Sequence, residues 1–122
     1  MRQAAIFLVE DEALIRMMTA EMIEELGHRV VAEAGDIQSA ISLAETTIFH
    51  LAILDVNIAG YNISPVADII ERRGLPIVFA SGYGSAALPG TYNHRPLLRK
   101  PFLLSDLKET IDTILDARGY RG

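Results

Sequence analysis

Residues 50–57 read HLAILDVN, an apolar run that ends on the carboxylate of Asp55. The uninterrupted apolar residues Leu51–Leu54 are typical of a strand that is buried on both faces of a parallel sheet. A charge directly after such a strand is costly to bury unless another group compensates it. Asp55 is therefore either an ordinary turn or capping residue at the strand end or a functional carboxylate.

Similar short apolar runs recur along the chain and alternate with longer segments of helical periodicity. The predicted strands are Ala4–Val9, Arg29–Ala34, Leu51–Leu54, Ile77–Ala80 and Leu97–Arg99. This alternation predicts an α/β fold whose parallel sheet is covered on both faces. Right-handed crossovers favour the flavodoxin-like, doubly wound arrangement with five strands in the order 2-1-3-4-5.

Helix signals mark four of the remaining segments. The first helix carries apolar residues at three-and-four spacing and is predicted to end at Gly27. Asp36 is predicted to cap the second helix, and Ser64 the third, with Pro65 at its first position. The last helix is predicted to follow Ser105.

The segment Ser81–Pro96 breaks this regular pattern. It contains Pro89 and Gly90 next to each other and has too few apolar positions for a helix. We expect a loop with at most one short turn of helix, so that the fourth helix of the doubly wound fold is disrupted or short.

Composition limits the classes of function. The 122 residues, 50% of them hydrophobic, fit one globular domain and leave little room for a second. A formal net charge of −5 argues against nucleic-acid binding. The absence of cysteine excludes disulfides and suits the cytoplasm. The apolar stretch over residues 4–9 is too short for a signal peptide or a membrane span, so we expect no membrane contact.

Polar residues at the strand ends are expected to meet at one edge of the sheet. Ligands of this fold bind beyond the carboxyl ends of the strands, between the first and third. Glu10 and Asp11 follow the first strand and Asp55 follows the third. Three carboxylates repel one another unless a cation joins them, and an all-oxygen site suits Mg²⁺. Ser81 and Lys100 follow the last two strands, which together predicts a phosphoryl site with Asp55 as nucleophile.

With these residues at its strand ends, the sequence resembles the receiver domain of two-component response regulators. The resemblance covers essentially the whole chain. The motifs that carry the resemblance are LVEDE at 8–12, ILDVN at 53–57, FASGYG at 79–84 and RKPF at 99–102. The resemblance implies that Asp55 is the phosphoacceptor, that Asp11 binds Mg²⁺ directly and that Glu10 assists through water. Further implied roles are a backbone-carbonyl metal ligand at Asn57, a switch hydroxyl on Ser81, a phosphate-contacting ammonium on Lys100 and a cis bond before Pro101.

The same resemblance implies a function. Such a chain accepts a phosphoryl group from a histidine kinase or phosphotransfer protein in a Mg²⁺-dependent reaction and later hydrolyses it with its own site. It would be a signalling domain and not an enzyme, with residues 1–122 forming a single stand-alone receiver without an output domain. It would signal to an unknown downstream protein by conformational change, or drain phosphate from the kinase, as a monomer or a weak phosphorylation-dependent dimer.

Three features depart from the common receiver pattern. Leu97 stands three residues before the lysine, where receivers usually have Tyr or Phe, and Glu10 replaces an aspartate found in many members. With FASGYG and the disrupted helix, the missing aromatic resembles the FATGUY subgroup of stand-alone regulators, with Ser81 in place of its threonine. Tyr83 either replaces the missing aromatic or only shields the strand edge, and the sequence leaves both readings open.

Two other functions stay open. A small Mg²⁺-dependent phosphohydrolase on the same general fold would form an aspartyl-phosphate intermediate. Such enzymes usually carry a second aspartate two residues beyond the nucleophile, where this chain has Asn57. A degenerate interaction module would no longer accept phosphate, although the full set of site residues argues against it.

The remaining candidates have ordinary interpretations. The histidines at positions 28, 50 and 94 lack the two-histidine helical spacing of a metal site, so we expect core or surface roles for them. Residues 61–63, in the loop beyond Asp55, are interpreted as a plain turn; the alternative is that they contact the kinase or modulate the lifetime of the acyl phosphate.

Overall fold

A computed structural model describes residues 2–82, 88 and 90–121. Five parallel strands form the main sheet: β1 (Ala5–Val9), β2 (Arg29–Ala34), β3 (Leu51–Asp55), β4 (Ile77–Ser81) and β5 (Leu97–Arg99). Their order across the sheet is β2-β1-β3-β4-β5, which confirms the predicted flavodoxin-like order. The direction of winding therefore changes between β1 and β3, where a ligand site is expected.

Among the described residues, four α-helices cover the two faces of the sheet. They are α1 (Ala13–Glu25), α2 (Ile37–Thr46), α3 (Ser64–Arg72) and α4 (Leu104–Ala117). Helices α2 and α3 pack on one face, and α1 and α4 pack on the other. None of these helices combines the length and apolar character that crossing a bilayer requires.

The two cores share the central strands. Phe7 and Val9 of β1 pack with α2 and α3, whereas Ile6 and Leu8 pack with α1 and α4. All four side chains are buried. Burial on both faces explains why the strand runs are apolar without alternation. Polar side chains are left to the strand ends, where the sheet meets solvent.

The predicted ends of β3 and β4 were each one residue too early, because backbone pairing continues past the apolar runs. Asp55 and Ser81 are the last residues of β3 and β4, not the residues that follow them. Val56 N–H still donates to Ala80 O at 3.0 Å, and Lys100 N–H donates to Ser81 O at 2.9 Å. Both functional candidates are therefore held by the sheet itself.

The predicted boundary residues Gly27 and Asp36 are confirmed, whereas Ser64 is not the cap of its helix. Gly27 follows α1 with a φ of 91°, a conformation that glycine adopts without steric cost. Asp36 caps α2, because its carboxylate accepts the N–H of Ser39 at 2.8 Å. Ser64 is the first residue of α3 and not its cap, so that prediction was wrong by one position.

The start of α4 also differs from prediction. The helix begins at Leu104, which places Ser105 inside the first turn. Leu103 precedes the helix, and its N–H donates to Asp106 Oδ2 at 3.0 Å. A carboxylate in the first turn therefore accepts a backbone N–H at the start of the helix, where it also meets the positive end of the helix dipole.

Part of the segment between β4 and β5 is described. It contains a 3₁₀ helix, Gly90–Tyr92, and no α-helix among residues 82, 88 and 90–96, in agreement with at most one short turn. Tyr92 is buried against Phe79, with ring centroids 5.4 Å apart, and its hydroxyl donates to the carboxylate of Asp68 on α3. Tyr83 lies outside the described residues.

A short antiparallel hairpin follows β3. Asn57–Ile58 pairs with Tyr61–Asn62. Ala59 and Gly60 connect them with φ angles of 52° and 88°, as a tight hairpin turn requires. The turn therefore lies at residues 59–60, and the expectation of a plain turn at 61–63 was wrong.

Candidate functional site

Three carboxylates meet at the carboxyl edge of β1 and β3. Glu10, Asp11 and Asp55 each offer an oxygen atom, and these atoms lie within 4.8 Å of one another. Glu10 and Asp55 are only 4% and 7% exposed, whereas Asp11 is half-buried. The structure thus brings together the three acidic residues that the sequence predicted. Such a cluster could hold a metal ion.

Lys100 joins two members of this cluster. Its Nζ donates to Glu10 Oε1 at 2.7 Å and to Asp55 Oδ2 at 2.9 Å. The peptide bond from Lys100 to Pro101 is cis, as the resemblance implied. The cluster has three carboxylates, with one negative charge each when ionised, and one ammonium. Its formal net charge is therefore −2 (−3 + 1).

Burial and hydrogen bonding act on Glu10 and Lys100 in opposite directions. Burial raises the pKa of Glu10 from 4.5 to about 6, although hydrogen bonds from Lys100 and from the Glu12 N–H oppose that rise. Burial by itself would lower the pKa of Lys100, but its hydrogen bonds to Glu10 and Asp55 outweigh burial, so this pKa is raised. Lys100 therefore stays charged while Glu10 titrates.

Asp11 is attached to the hairpin after β3. Its Oδ2 accepts the N–H of Ala59 at 2.8 Å. Burial acts to raise the pKa of Asp11, but the hydrogen bonds to this carboxylate, with that of Ala59 the strongest, lower it below its ordinary value. An ionised Asp11 is thus oriented by a backbone donor from the strand connection that follows Asp55.

Asn57 contributes through its main chain and its side chain separately. Its N–H donates to Asp55 Oδ1 at 3.3 Å. Its side-chain Oδ1 accepts the Gly60 N–H at 2.9 Å, which closes the hairpin turn. The carboxamide therefore has a structural partner, and metal binding by the backbone carbonyl of Asn57 stays a prediction.

An open cleft of about 400 Å³ adjoins the cluster. Its lining residues are Asp11, Glu12, Asp55, Asn57, Ser81, Gly82 and Lys100. Ser81 is buried at the end of β4, at 2% exposure, and directly follows Ala80, which is paired with Asp55 on the neighbouring strand. Glu10 is not among the lining residues and reaches this group through Lys100. The cleft thus unites every predicted site residue except Glu10.

Two contacts of the cluster were not predicted from the sequence. Arg16 of α1 donates from Nη1 to the backbone carbonyl of Glu10 at 2.7 Å. The Ala59 N–H donates to Asp11. Both contacts use main-chain atoms, which every residue type possesses, so no residue pattern marks them.

A flavodoxin-like sheet with an acidic cluster and a lysine at its switch point defines a receiver-type α/β domain. The chain belongs to the response regulator receiver domain family, the receiving module of two-component systems, whose family model matches residues 6–112.

Relatives of this chain are bacterial regulators. The transcriptional regulatory protein PdtaR of Mycobacterium tuberculosis is 38% identical over 111 residues, which cover 88% of this chain and 54% of the relative. The phyllosphere-induced regulator PhyR of Methylorubrum extorquens is 29% identical over 117 residues, 90% of this chain and 43% of the relative. The chain spans about half the length of the curated relatives it matches.

Solved structures show the same architecture. The solution structure of SdrG from Sphingomonas melonis Fr1 superposes with a TM-score of 0.82 at 32% identity, over 93% of this chain and 97% of that one. This likeness supports the receiver fold. Membership of the FATGUY subgroup stays a prediction, and Tyr83, on which its aromatic argument depends, is outside the described residues.

Proposed function

We propose that Asp55 accepts a phosphoryl group in a Mg²⁺-dependent reaction, and that a histidine kinase or phosphotransfer protein supplies it. The observation that carries this proposal is the position of Lys100 Nζ, 2.7 Å from Glu10 and 2.9 Å from Asp55, where Asp55 lines an open cleft. A lysine so placed neutralises the nucleophile and reaches the group that would be transferred to it.

The residues present fit a magnesium ion. All donors in the cluster are oxygen atoms, few protein ligands are available, and its excess of two negative charges suits a divalent cation. Asp11, Asp55 and the backbone carbonyl of Asn57 would hold the ion, with Glu10 assisting through water. When bound, Mg²⁺ would neutralise charge on the phosphoryl oxygens.

The transfer itself needs mostly positioning and charge neutralisation. A carboxylate oxygen of Asp55 forms a bond to phosphorus while the phosphorus–nitrogen bond of the phosphohistidine breaks, and the imidazole nitrogen keeps the electron pair. Lys100 shifts its donation toward the phosphoryl oxygens, and Ser81 donates its hydroxyl to one of them. Water later attacks the same phosphorus, the bond from phosphorus to the Asp55 oxygen breaks, and inorganic phosphate leaves with the carboxylate restored, so the chain removes its own phosphoryl group.

Phosphorylation would act by shifting a conformational population. Ser81 ends β4, so a movement of its side chain toward the phosphoryl group reaches the segment that leads to β5. We propose that this face signals to a downstream protein in the cytoplasm, or that the chain drains phosphate from a kinase, acting as a monomer or weak phosphorylation-dependent dimer. Nucleic acid and membranes are not proposed as partners.

The structure favours this proposal over a phosphohydrolase. An aspartate two residues beyond the nucleophile would serve there as general acid and base. Asn57 occupies that position, and its Oδ1 is engaged with the Gly60 N–H at 2.9 Å. A carboxamide neither gains nor loses a proton to an appreciable extent near neutral pH, so Asn57 cannot serve as general acid and base at this position.

Intact-protein mass spectrometry tests the proposal. The chain and its Asp55→Asn variant are incubated with acetyl phosphate, with Mg²⁺ and with a chelator in its place. We expect the wild-type chain to gain one phosphoryl group with Mg²⁺ only, and the variant to gain none. Ser81→Ala is expected to be phosphorylated, because the hydroxyl is not the acceptor.

Two results would contradict the proposal in different ways. Catalytic consumption of acetyl phosphate without an adduct would favour the phosphohydrolase. The absence of both an adduct and turnover, with a phosphorylated histidine kinase failing as donor as well, would favour the degenerate interaction module.

A further inference from the structure

We infer that Arg16 is a positioning residue for the acidic cluster, and that it sets the affinity of the site for a divalent cation by holding the main chain at Glu10. Gly35 is the second part of this device, because it leaves space for the guanidinium. The inference rests on the proposed function, since it concerns the same cation site.

The guanidinium of Arg16 connects α1 with the ends of two strands. Nη1 donates to the Glu10 carbonyl oxygen at 2.7 Å, and Nε lies 3.5 Å from Glu33 Oε1 on β2. The Arg16 side chain is 25% exposed, so most of it is shielded from water. A charged donor on a carbonyl in such surroundings forms a stronger bond than a neutral one.

Glu10 is thereby held on both sides of its main chain. Its N–H donates to Ala34 O at 3.0 Å, while its carbonyl accepts from Arg16. Its carboxylate then accepts from Lys100 at 2.7 Å and from the Glu12 N–H at 3.1 Å. With the backbone bound at both groups, the side chain leaves the strand end in one direction. Arg16 thus orients a carboxylate that it does not contact.

Gly35 is required for space and not for backbone conformation. The backbone of Gly35 is outside the positive-φ region that favours glycine. A Cβ atom at this position would lie 2.7 Å from Arg16 Nη1 and 3.7 Å from the Glu10 carbonyl oxygen. A larger residue would therefore force the guanidinium to shift from its place against the Glu10 carbonyl. Substituting Gly35 is a way to move Arg16 while keeping its charge.

The two roles that Arg16 could have, orienting Glu10 or acting through its positive charge, predict opposite changes in Mg²⁺ affinity when the residue is replaced. If Arg16 acted only through its positive charge, removing it would strengthen the binding of Mg²⁺. If it orients Glu10, removing it weakens binding, and loss of a residue that orients a metal ligand typically costs about 10- to 100-fold in affinity. The direction of the change therefore separates the two roles.

Backbone amide resonances, followed by NMR as Mg²⁺ is added, measure this affinity directly on the whole chain. We expect Arg16→Met and Gly35→Ala each to weaken Mg²⁺ binding by about tenfold or more. The double variant should bind no more weakly than the weaker single variant, because both changes remove one shared interaction.

Matched controls exist elsewhere in the chain. Arg73 Nη1 donates to the Ala44 carbonyl oxygen at 2.6 Å, far from the cluster in the fold, and a Cβ on Gly90 would meet no atom within 4 Å. Arg73→Met and Gly90→Ala should therefore bind Mg²⁺ as the wild type does. Thermal unfolding measures the stability of every variant. If lost stability alone weakened Mg²⁺ binding, a destabilised Arg73→Met variant would also bind Mg²⁺ more weakly than the wild type.

Unchanged or tighter Mg²⁺ binding in Arg16→Met and Gly35→Ala would overturn the positioning role of Arg16. If the wild-type chain is still phosphorylated on Asp55, that result leaves the proposed function intact. A wild-type chain that does not bind Mg²⁺ would overturn both. If Arg16→Met does not fold, Gly35→Ala decides the question, because it adds one methyl group and keeps the arginine.

Discussion

The ammonium of Lys100 lies 2.9 Å from Asp55 Oδ2, so the proposed phosphoacceptor is held in an ion pair before any donor arrives. The pair is mostly buried, since the two side chains are 18% and 9% exposed. Removing one partner of a buried pair leaves the other charge without compensation, which is strongly unfavourable. Phosphoryl transfer to Asp55 keeps negative charge near Lys100 and so preserves its compensation.

Replacing Lys100 should change the titration of Glu10. Both the hydrogen bond and the charge of Lys100 lower the Glu10 pKa, so we expect Lys100→Met to raise it further above about 6. Carboxyl-carbon NMR across a pH series measures this shift. Lys108→Met, which removes an exposed partner of Asp112, should leave the Glu10 pKa unchanged. An unaltered Glu10 pKa in Lys100→Met would contradict the contact.

Glu10 should make the chain less stable as the pH rises. Its pKa is raised from 4.5 to about 6, so its contribution to stability is complete below about pH 4.5 and is lost as the pH rises through about 6. The difference corresponds to about 2 kcal/mol. Urea unfolding without Mg²⁺ at several pH values measures it as the difference between wild type and Glu10→Gln. Parallel pH profiles for the two chains would rule this contribution out.

His28 should act in the opposite direction. Its Nδ1 accepts the Ala4 N–H at 3.0 Å, and burial lowers its pKa below 6.5 despite the opposing influence of Asp112. The folded chain therefore favours neutral His28, and stability is lost as the pH falls below about 6.5. His28→Asn keeps an acceptor that does not titrate, so its unfolding free energy should depend less on pH. The exposed His94→Asn serves as control, and an equal effect there would refute the prediction.

Tyr92 should stabilise the segment between β4 and β5 through its hydroxyl. This group donates to the carboxylate of Asp68, so Tyr92→Phe should lower the free energy of unfolding by about 1–2 kcal/mol. Urea unfolding measures the loss. Tyr61 is 70% exposed, and Tyr61→Phe should change stability by less than about 0.5 kcal/mol. Equal stabilities of wild type and Tyr92→Phe would show that the bond contributes nothing.

The strand order, and the grouping of the candidate site residues at one edge of the sheet, were predictable because burial forces a simple pattern. Strands covered on both faces must be apolar, so a charge such as Asp55 marks a strand end. The exact end was not predictable, because main-chain pairing continues through Asp55 and Ser81 regardless of side-chain polarity. The prediction that His28 and His50 have core or surface roles agrees with their hydrogen bonds to backbone N–H groups.

Other features left no pattern to interpret. Tyr83 was the aromatic considered in the segment before β5, whereas the structure places Tyr92 against Phe79 in the core. In a segment without periodicity, nothing in the sequence separates a buried aromatic residue from an exposed one. The hairpin after β3 escaped prediction for a related reason, since its turn uses Ala59 at a positive φ, which is uncommon for that residue.

Strand β1 is held at both ends by side chains that do not belong to it. At its start, His28 and His50 accept the N–H groups of Ala4 and Ala5 at 3.0 and 2.8 Å, and at its far end Arg16 holds the Glu10 carbonyl. Sliding a strand by one residue turns every side chain to the opposite face. These bonds fix how β1 is aligned with β3, and that alignment sets the spacing between the carboxylates. Substituting a histidine at the opposite edge of the sheet should therefore change the spacing of the carboxylates at the proposed cation site.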